Sequence, residues 1–484
     1  MAAPVRILHE RREGSPMGPP GRLICLLLCL VLFCSALLPP VTALALGDFS
    51  IQDERKLGEK FNVLIRSRLP LVQDSEIVDY CKGIVDRLAK TLPPQPFPFT
   101  VSVIRHNAMN AFACPGGYIF VHTGLIMGVN NESELAGVLA HEIAHVTQRH
   151  IARRIESSQT TTLLTILGAL AGAFLGGQVG PAALAGSMAA GQAAMLSYSR
   201  TDEREADQVG IGYLTKAGYP PQGMVNAFEI LSKRQWMVGG DIPSYLSTHP
   251  GLQERVRDMG VRVSLLPADV RQKKDQNAAF LRIQALVRAR YGDPAVASQA
   301  FAKQLGQSGQ RCVALLGQAI LASRQNRIND ATGFFDEAMR CAPKDQLVIR
   351  EAGRFHYTKG NRHRGNSLLA SAVSLNRNDT YALYYYARSL QDQGRINDAL
   401  HFALLVNRRV PDDSEIHELL ARLYAQGNRL FLANLHMAYS GLYANNEKRM
   451  EQFLEKAKSL ARSPEDKGNL ERFDRLYKER KEFW

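Results

Sequence analysis

The pentapeptide RINDA stands at residues 327–331 and again at 395–399, 68 residues apart, or twice 34. Asn326, Gly360, Gly394 and Gly427 take matching turn positions between stretches of helical apolar spacing, and Pro343 and Pro411 are again 68 apart. A period of 34 residues admits few architectures. Each unit is a helix–turn–helix that cannot bury its own apolar face and must stack on its neighbours. Residues 276–460 are therefore expected to form an all-α solenoid, with Ala331, Ala399 and Ala403 in its core and its groove open to a partner. The charged tail at 461–484 reads as one or two solvated helices.

The N-terminal part is a different kind of sequence. Arg22 is followed by the apolar run LICLLLCLVLFCSALL, then by PPVTALALG with small residues about Ala43-Leu44-Ala45. This is the pattern of an export signal over residues 1–45, either cleaved or kept as an anchor. The net charge is +13, but it is spread along the chain and no nucleic-acid motif accompanies it. Nucleic acid is not expected as a partner, and peripheral contact with an anionic membrane suits the charge better. Beyond the signal stand four cysteines, Cys81, Cys114, Cys312 and Cys341. They allow three disulfide connectivities, or buried free thiols.

Residues 46–265 mix helices with a little strand. FPFTVSVIR (97–105) and GYIFVHTGLI (117–126) read as strands joined through NAMNAFACPGG. Asn131 with Glu134 three residues on forms a capping box, and the helix it opens is expected to run to about Ile155. Residues 157–199 contain no charged residue and no histidine. That stretch is a buried helical hairpin, a lid or membrane-touching element, or a transmembrane hairpin. Residues 200–219 read as a helix ending near Gly218.

The chemistry lies in AGVLAHEIAHVTQRH (136–150). On a helix, His141 and His145 are one turn apart on one face and can grip one zinc ion. The metal would bring the pKa of a bound water towards ~7, and the adjacent Glu142 would take its proton, so that the water attacks a peptide carbonyl. His150 falls one residue short of the place a third histidine would need and reads as a surface residue. Glu203 is the better third ligand, completing a two-histidine, one-glutamate set with an open position. Asp207, one turn further on the same face, is placed to orient a ligand histidine or the catalytic proton. Glu205 lies on another, solvated face. The fold class expected is α+β: a mainly helical zincin-type metalloprotease domain with a small β-sheet, followed by the all-α solenoid.

NAFACPGGYIFVHTGLI, ELAGVLAHEIAHVTQRH and SRTDEREADQVG, in this order, resemble the minigluzincin metallopeptidases, the family of HtpX and the CaaX prenyl proteases. With an export signal in front and tetratricopeptide-type repeats behind, the chain is similar to the periplasmic members that enhance β-barrel assembly. The resemblance implies one Zn2+ per chain on His141, His145 and Glu203, Glu142 as general base and Asp207 as proton donor. It implies that Asn110, Ala111, Phe112 and Ala113 form the edge to which substrate adds as an extra strand. In STHPGLQER (247–255) it makes His249 an inhibitory fourth ligand on a capping loop. Arg255 would face the substrate or the oxyanion, or hold the loop. The implied substrates are unfolded or stalled outer-membrane proteins, and the implied partner of the repeats is the outer-membrane assembly machinery. Two rival readings are a chaperone or scaffold acting through its repeats, and a membrane-associated metalloprotease with other substrates. The intact ligand set argues against the first, and the lack of several ~20-residue apolar spans against the second.

Overall fold

The computed structural model describes residues 49–157, 198–235, 245–307 and 309–481. The export signal at 1–45 and nearly all of the charge-free stretch at 157–199 lie outside the described residues. Among the described residues no helix is long and apolar enough to cross a membrane.

Helix α1 (Ile51–Arg68) opens on a Ser50/Asp53 capping box, and α2 (Ser75–Ala89) on an Asp74 cap. Three short strands follow: β1 (Thr100–Ile104), β2 (Ala111–Cys114) and β3 (Tyr118–His122), in the order β1–β3–β2. β1 runs parallel to β3 and β2 antiparallel to it, so β2 forms one edge. The period-2 alternation sorts the side chains between two faces. Ile104, Phe112, Cys114 and Phe120 pack with Leu57, Phe61 and Ile65 of α1. Val103, Ala111, Ala113, Ile119 and Val121 join the larger core with α2.

The strand expected over 117–126 is cut short. β3 ends at His122 because β1 and β2 offer it no partner beyond that point, and residues 123–128 form a short helix, α3 (Thr123–Gly128). The long helix expected from Asn131 to Ile155 is likewise two helices, α4 (Glu132–Thr147) and α5 (His150–Ser157). Between them Arg149 takes a left-handed φ of 52°, held by hydrogen bonds to Glu54 Oε2 and Phe49 O. Helix α6 (Arg200–Lys216) starts on a Ser199/Asp202 capping box and, with α7 (Gln222–Gln235), crosses α4 closely. The closeness depends on Gly137, where a Cβ would fall 2.6 Å from the Met224 Cα. A short helix α8 (Tyr245–Thr248), then α9 (Leu252–Ser264) and α10 (Ala268–Arg271), complete this part.

The repeats are helix pairs: α11 (Ala278–Tyr291) with α12 (Pro294–Leu305), α13 (Arg311–Arg324) with α14 (Ile328–Cys341), α15 (Gln346–Thr358) with α16 (Arg362–Leu375), and α17 (Thr380–Asp392) with α18 (Ile396–Arg409). α19 (Ser414–Gln426), α20 (Leu430–Tyr443) and α21 (Glu447–Leu460) continue the stack. From α13 on, the turns α13–α14, α15–α16, α17–α18 and α19–α20 each carry one residue at positive φ: Asn326, Gly360, Gly394 and Asn428. The last is Asn428 and not Gly427, which restores the 34-residue spacing; asparagine tolerates the left-handed region better than most side chains. Cys312 and Cys341 form a disulfide between α13 and α14, while Cys81 and Cys114 are buried free thiols. The tail is not merely solvated. Helix α22 (Pro464–Lys481) buries Phe473 against α20 and α21 and sends Arg480 to the Arg66 carbonyl of α1.

The repeats also share a core with the N-terminal part. Gln284 donates to the Ile126 and Val129 carbonyls, and buried residues of α11, α13 and α15 belong to the same apolar cluster as α2 and α4. At the junction Arg350 is fully buried among Asp74 (2.9 Å), Glu351 (2.9 Å) and Asp379 (3.0 Å), while Arg290 bridges Asp74 and Glu351. Removing one partner from such a cluster leaves the other charges buried and uncompensated. Arg350→Ala is therefore expected to destabilise the chain by about 3–5 kcal/mol. Lys82→Ala, at an exposed pair with Asp86, should change stability by under about 1 kcal/mol. Urea unfolding followed by circular dichroism compares the two.

Candidate metal centre

His141 and His145 sit one turn apart on α4, and Glu203 comes from the first turn of α6 where it crosses α4. His249, directly after α8, closes the group. All four are buried, and each offers a ligand atom within 4.8 Å of the others. His141 Nε2 lies 2.9 Å from His145 Nε2 and 3.4 Å from His249 Nδ1. Glu203 lies 3.5 Å from His141 Nε2, 3.4 Å from His145 Nε2 and 2.9 Å from His249 Nδ1. A tetrahedral zinc with bonds of about 2.0–2.1 Å needs ligand atoms about 3.3 Å apart. The group is therefore already close to the size of one ion.

The outer nitrogens decide what the inner ones can do. His141 Nδ1 is 3.0 Å from Asp207 Oδ1, within ion-pair reach. His145 Nδ1 is 2.7 Å from His150 Nδ1, and His150 Nε2 is 3.1 Å from Glu205 Oε2. One consistent set of protons runs outward along each line, from His141 to Asp207 and from His145 through His150 to Glu205. This leaves both Nε2 atoms as bare acceptors facing each other, an arrangement that calls for a cation between them. Without a metal that cation is a proton. Burial opposes charging His141, but Asp207 and Glu203 outweigh it and its pKa rises to about 9. Burial and the charges of His141 and His249 hold His145 well below the usual histidine value, against the pull of Glu203. Tyr198 stacks on the His145 ring at 3.6 Å and Tyr245 on His249 at 4.1 Å.

Glu142 is fully buried beside this group. Its Oε2 accepts from the Ala113 N–H of β2 at 3.1 Å, and its Oε1, 3.6 Å from His249 Nε2, has no hydrogen-bond partner. Burial raises its pKa, opposed by the histidines and by the Ala113 N–H. A carboxylate of raised pKa with a free oxygen suits proton transfer near neutral pH. Glu203 is the opposite case. Burial would raise it, but His249, Arg255, His141 and His145 hold it well below the usual range.

Asn110, Ala111, Phe112 and Ala113 lie along the β2 edge next to Glu142. His122 N–H donates to the Asn110 carbonyl, so alternation turns the backbone groups of Ala111 and Ala113 away from β3. Arg255 does not face open space. It is buried, donates to both oxygens of Asp207 at 2.8 and 2.7 Å, and pairs with Glu203. Burial would raise the Asp207 pKa, but Arg255 and His141 hold it down, so here it is ionised.

His150 departs from the surface position expected of it. The break at Arg149 swings it back over His145, and it is fully buried. Glu205 is correspondingly shared between His150 and Arg153, at 3.1 and 2.7 Å, and only partly solvated. Neither link has a sequence signal, because Gln148-Arg149 contains no helix breaker.

A paired-histidine helix, a crossing helix with a ligand-type glutamate and a repeat solenoid together define a metallopeptidase domain joined to an interaction module. Residues 78–262 match Peptidase family M48, and residues 358–423 match the tetratricopeptide repeat. The chain is similar to the beta-barrel assembly-enhancing protease of Yersinia pestis, 35% identical over 251 residues and 51% of each chain. It is also similar to that of Escherichia coli strain K12, 29% identical over 396 residues, 81% of this chain and 80% of the other. Mitochondrial metalloendopeptidase OMA1 of Schizosaccharomyces pombe is 30% identical over 178 residues, 37% of this chain and 50% of the relative. The chain thus matches about half the length of the first and third of these relatives. Family M48 implies a metal cofactor, and the histidine–glutamate group can bind one.

His150→Ala should keep the fold but weaken metal binding about 10–100-fold, because His145 loses the acceptor that fixes its tautomer. Competition with a chromophoric chelator measures this, and unchanged affinity would remove His150 from the supporting set.

Proposed function

We propose that this chain is a zinc metalloendopeptidase of the periplasm. In this reading it cuts unfolded or stalled outer-membrane proteins while its repeats hold it to the outer-membrane assembly machinery. The observation that carries the reading is the meeting of His141, His145 and Glu203 with Glu142 and the β2 edge in one buried place. The name shared by the bacterial relatives, beta-barrel assembly-enhancing protease, supports the substrate class.

A bound zinc would supply Lewis acidity, polarising a peptide carbonyl and making water a better acid at neutral pH. The chain's own residues do the rest. Asp207 and His150 keep His141 and His145 in the tautomers that present bare Nε2 atoms. Glu142 takes a proton from the attacking water on Oε1 and delivers it to the departing amine. The Ala113 N–H fixes the other oxygen, so the base and the edge strand move as one. A peptide added along β2 would carry its scissile bond past Glu142. His249 occupies the fourth place of the ligand group, where it competes with water and keeps a resting enzyme shut. Arg255 and Asp207 are positioning residues.

Elemental analysis should find one zinc per chain, and Glu203→Ala should lose it. Glu142→Gln should keep the zinc and the fold but cut an unfolded substrate at least about 100-fold more slowly. A Gln variant that cuts at the normal rate would overturn the mechanism.

His249→Ala should raise basal proteolysis and self-cleavage at one neutral pH without lowering zinc content. Equal or lower activity in that variant would return His249 to a purely structural role.

A further inference from the structure

The first helices of successive repeats, α11, α13, α15 and α17, line a cleft of about 370 Å3. Its wall carries Arg290, Arg324, Arg354 and Lys359 together with Tyr291 and Tyr381, and no carboxylate among the described residues. Two of these cations are already matched. Arg290 pairs with Asp74 and Glu351, and Arg354 donates to Glu351 at 3.1 Å. The other two are not. Arg324 donates to the Gly292 carbonyl at 2.7 Å and Lys359 to Asn326 Oδ1 at 2.8 Å, and neither has a carboxylate partner among the described residues.

An arginine recurs along the solenoid. Arg354, Arg388 and Arg422 stand 34 residues apart, at one position of three successive repeats. Arg422 is neutralised by Glu418 at 3.3 Å. Arg388 makes no close ion pair among the described residues; Asp392, one turn on, acts on it electrostatically, and its guanidinium lies 5.6–5.8 Å from the ring centroids of Tyr357, Tyr384 and Tyr385. Tyrosine faces hold a guanidinium without using up its hydrogen-bonding edge, which stays available for a planar bidentate anion such as a carboxylate.

We propose that this tyrosine-lined, basic groove binds an extended acidic segment of a polypeptide. A set of unmatched cations around a concave cleft has charge complementarity to an anion. Their arrangement along successive helices, about 8–10 Å apart, suits a linear polymer more than a single phosphate. An extended chain rises about 3.1–3.3 Å per residue, so acidic side chains about three residues apart would meet successive helices. A bilayer presents a plane and reaches a concave wall poorly. The inference deepens the reading of the repeats as the partner-holding module and is independent of hydrolysis, since binding and cleavage are read separately.

The test uses the full chain and a fluorescein-labelled peptide of about 12 residues, ~37 Å when extended as polyproline II, with Glu at every third position. The same peptide with Gln at those positions is the comparison. Fluorescence anisotropy should show the Glu peptide binding at least about tenfold more tightly, with the advantage shrinking as salt rises. Arg388→Ser and Lys359→Ser should each weaken the Glu peptide about three- to tenfold, and Lys82→Ser, remote from the groove, should not. Should Arg388→Ser lose its helical circular dichroism, Lys359→Ser and Arg324→Ser decide the matter. Equal affinity for the Glu and Gln peptides, or no loss in the groove variants, overturns the proposal. So does a groove that binds phosphatidylglycerol/phosphatidylcholine vesicles but not the peptide, which would make it a membrane contact. A hydrolytically dead chain that still binds the Glu peptide would separate this inference from the mechanism above.

Discussion

Two bare imidazole nitrogens held 2.9 Å apart among buried side chains are the constraint around which the peptidase domain is arranged. Lone pairs at that distance repel unless a positive charge lies between them, and burial makes both the repulsion and the remedy stronger. Each surrounding residue answers this demand. Asp207 and the His150–Glu205 line draw protons outward, Glu203 contributes the negative charge, and Arg255 neutralises the two carboxylates that would otherwise repel each other. Glu142, left with one free oxygen on the same wall, is the group in this cluster that can exchange a proton with something entering from outside.

The same logic holds the two halves of the chain together. Asp74 caps a helix of the peptidase domain, and Arg290, Arg350, Glu351 and Asp379 come from the repeats; together they form one buried ionic group. A solenoid read from its period alone contacts only its neighbours. Here the first repeats share their apolar core with α2 and α4, and the terminal helix α22 returns to α1. The groove of the repeats and the edge strand beside Glu142 therefore belong to one packed body and not to two modules on a linker.

The elements that were legible in the sequence are those set by short-range geometry. A four-residue spacing on a helix places His141 and His145 on one face, and a capping residue marks where α4 begins. A 34-residue period announces helix pairs. The misreadings have one source. The strand at 117–126 was overextended because alternation continues past the point where its neighbours stop. The helix through His145 was overextended because Gln148-Arg149 looks helical, and only Glu54 and the Phe49 carbonyl, almost 100 residues earlier, pull Arg149 into its left-handed turn. The tail looked solvated because its few apolar residues are too sparse to show a stripe, yet Phe473 found a pocket.

By itself, then, the sequence determined which residue types could hold a metal and exchange a proton, and that the C-terminal half must stack as helical repeats. These follow from the helix period and from the chemistry of His and Glu, which need no knowledge of distant contacts. Tertiary structure alone decided that His150 packs on His145, that Arg255 pairs with Asp207 and Glu203, that Asn428 and not Gly427 makes the α19–α20 turn, and that the repeats are anchored through Arg350. Each of these depends on a partner far away in the chain, and a charge or an imidazole acquires its role only from what is packed against it.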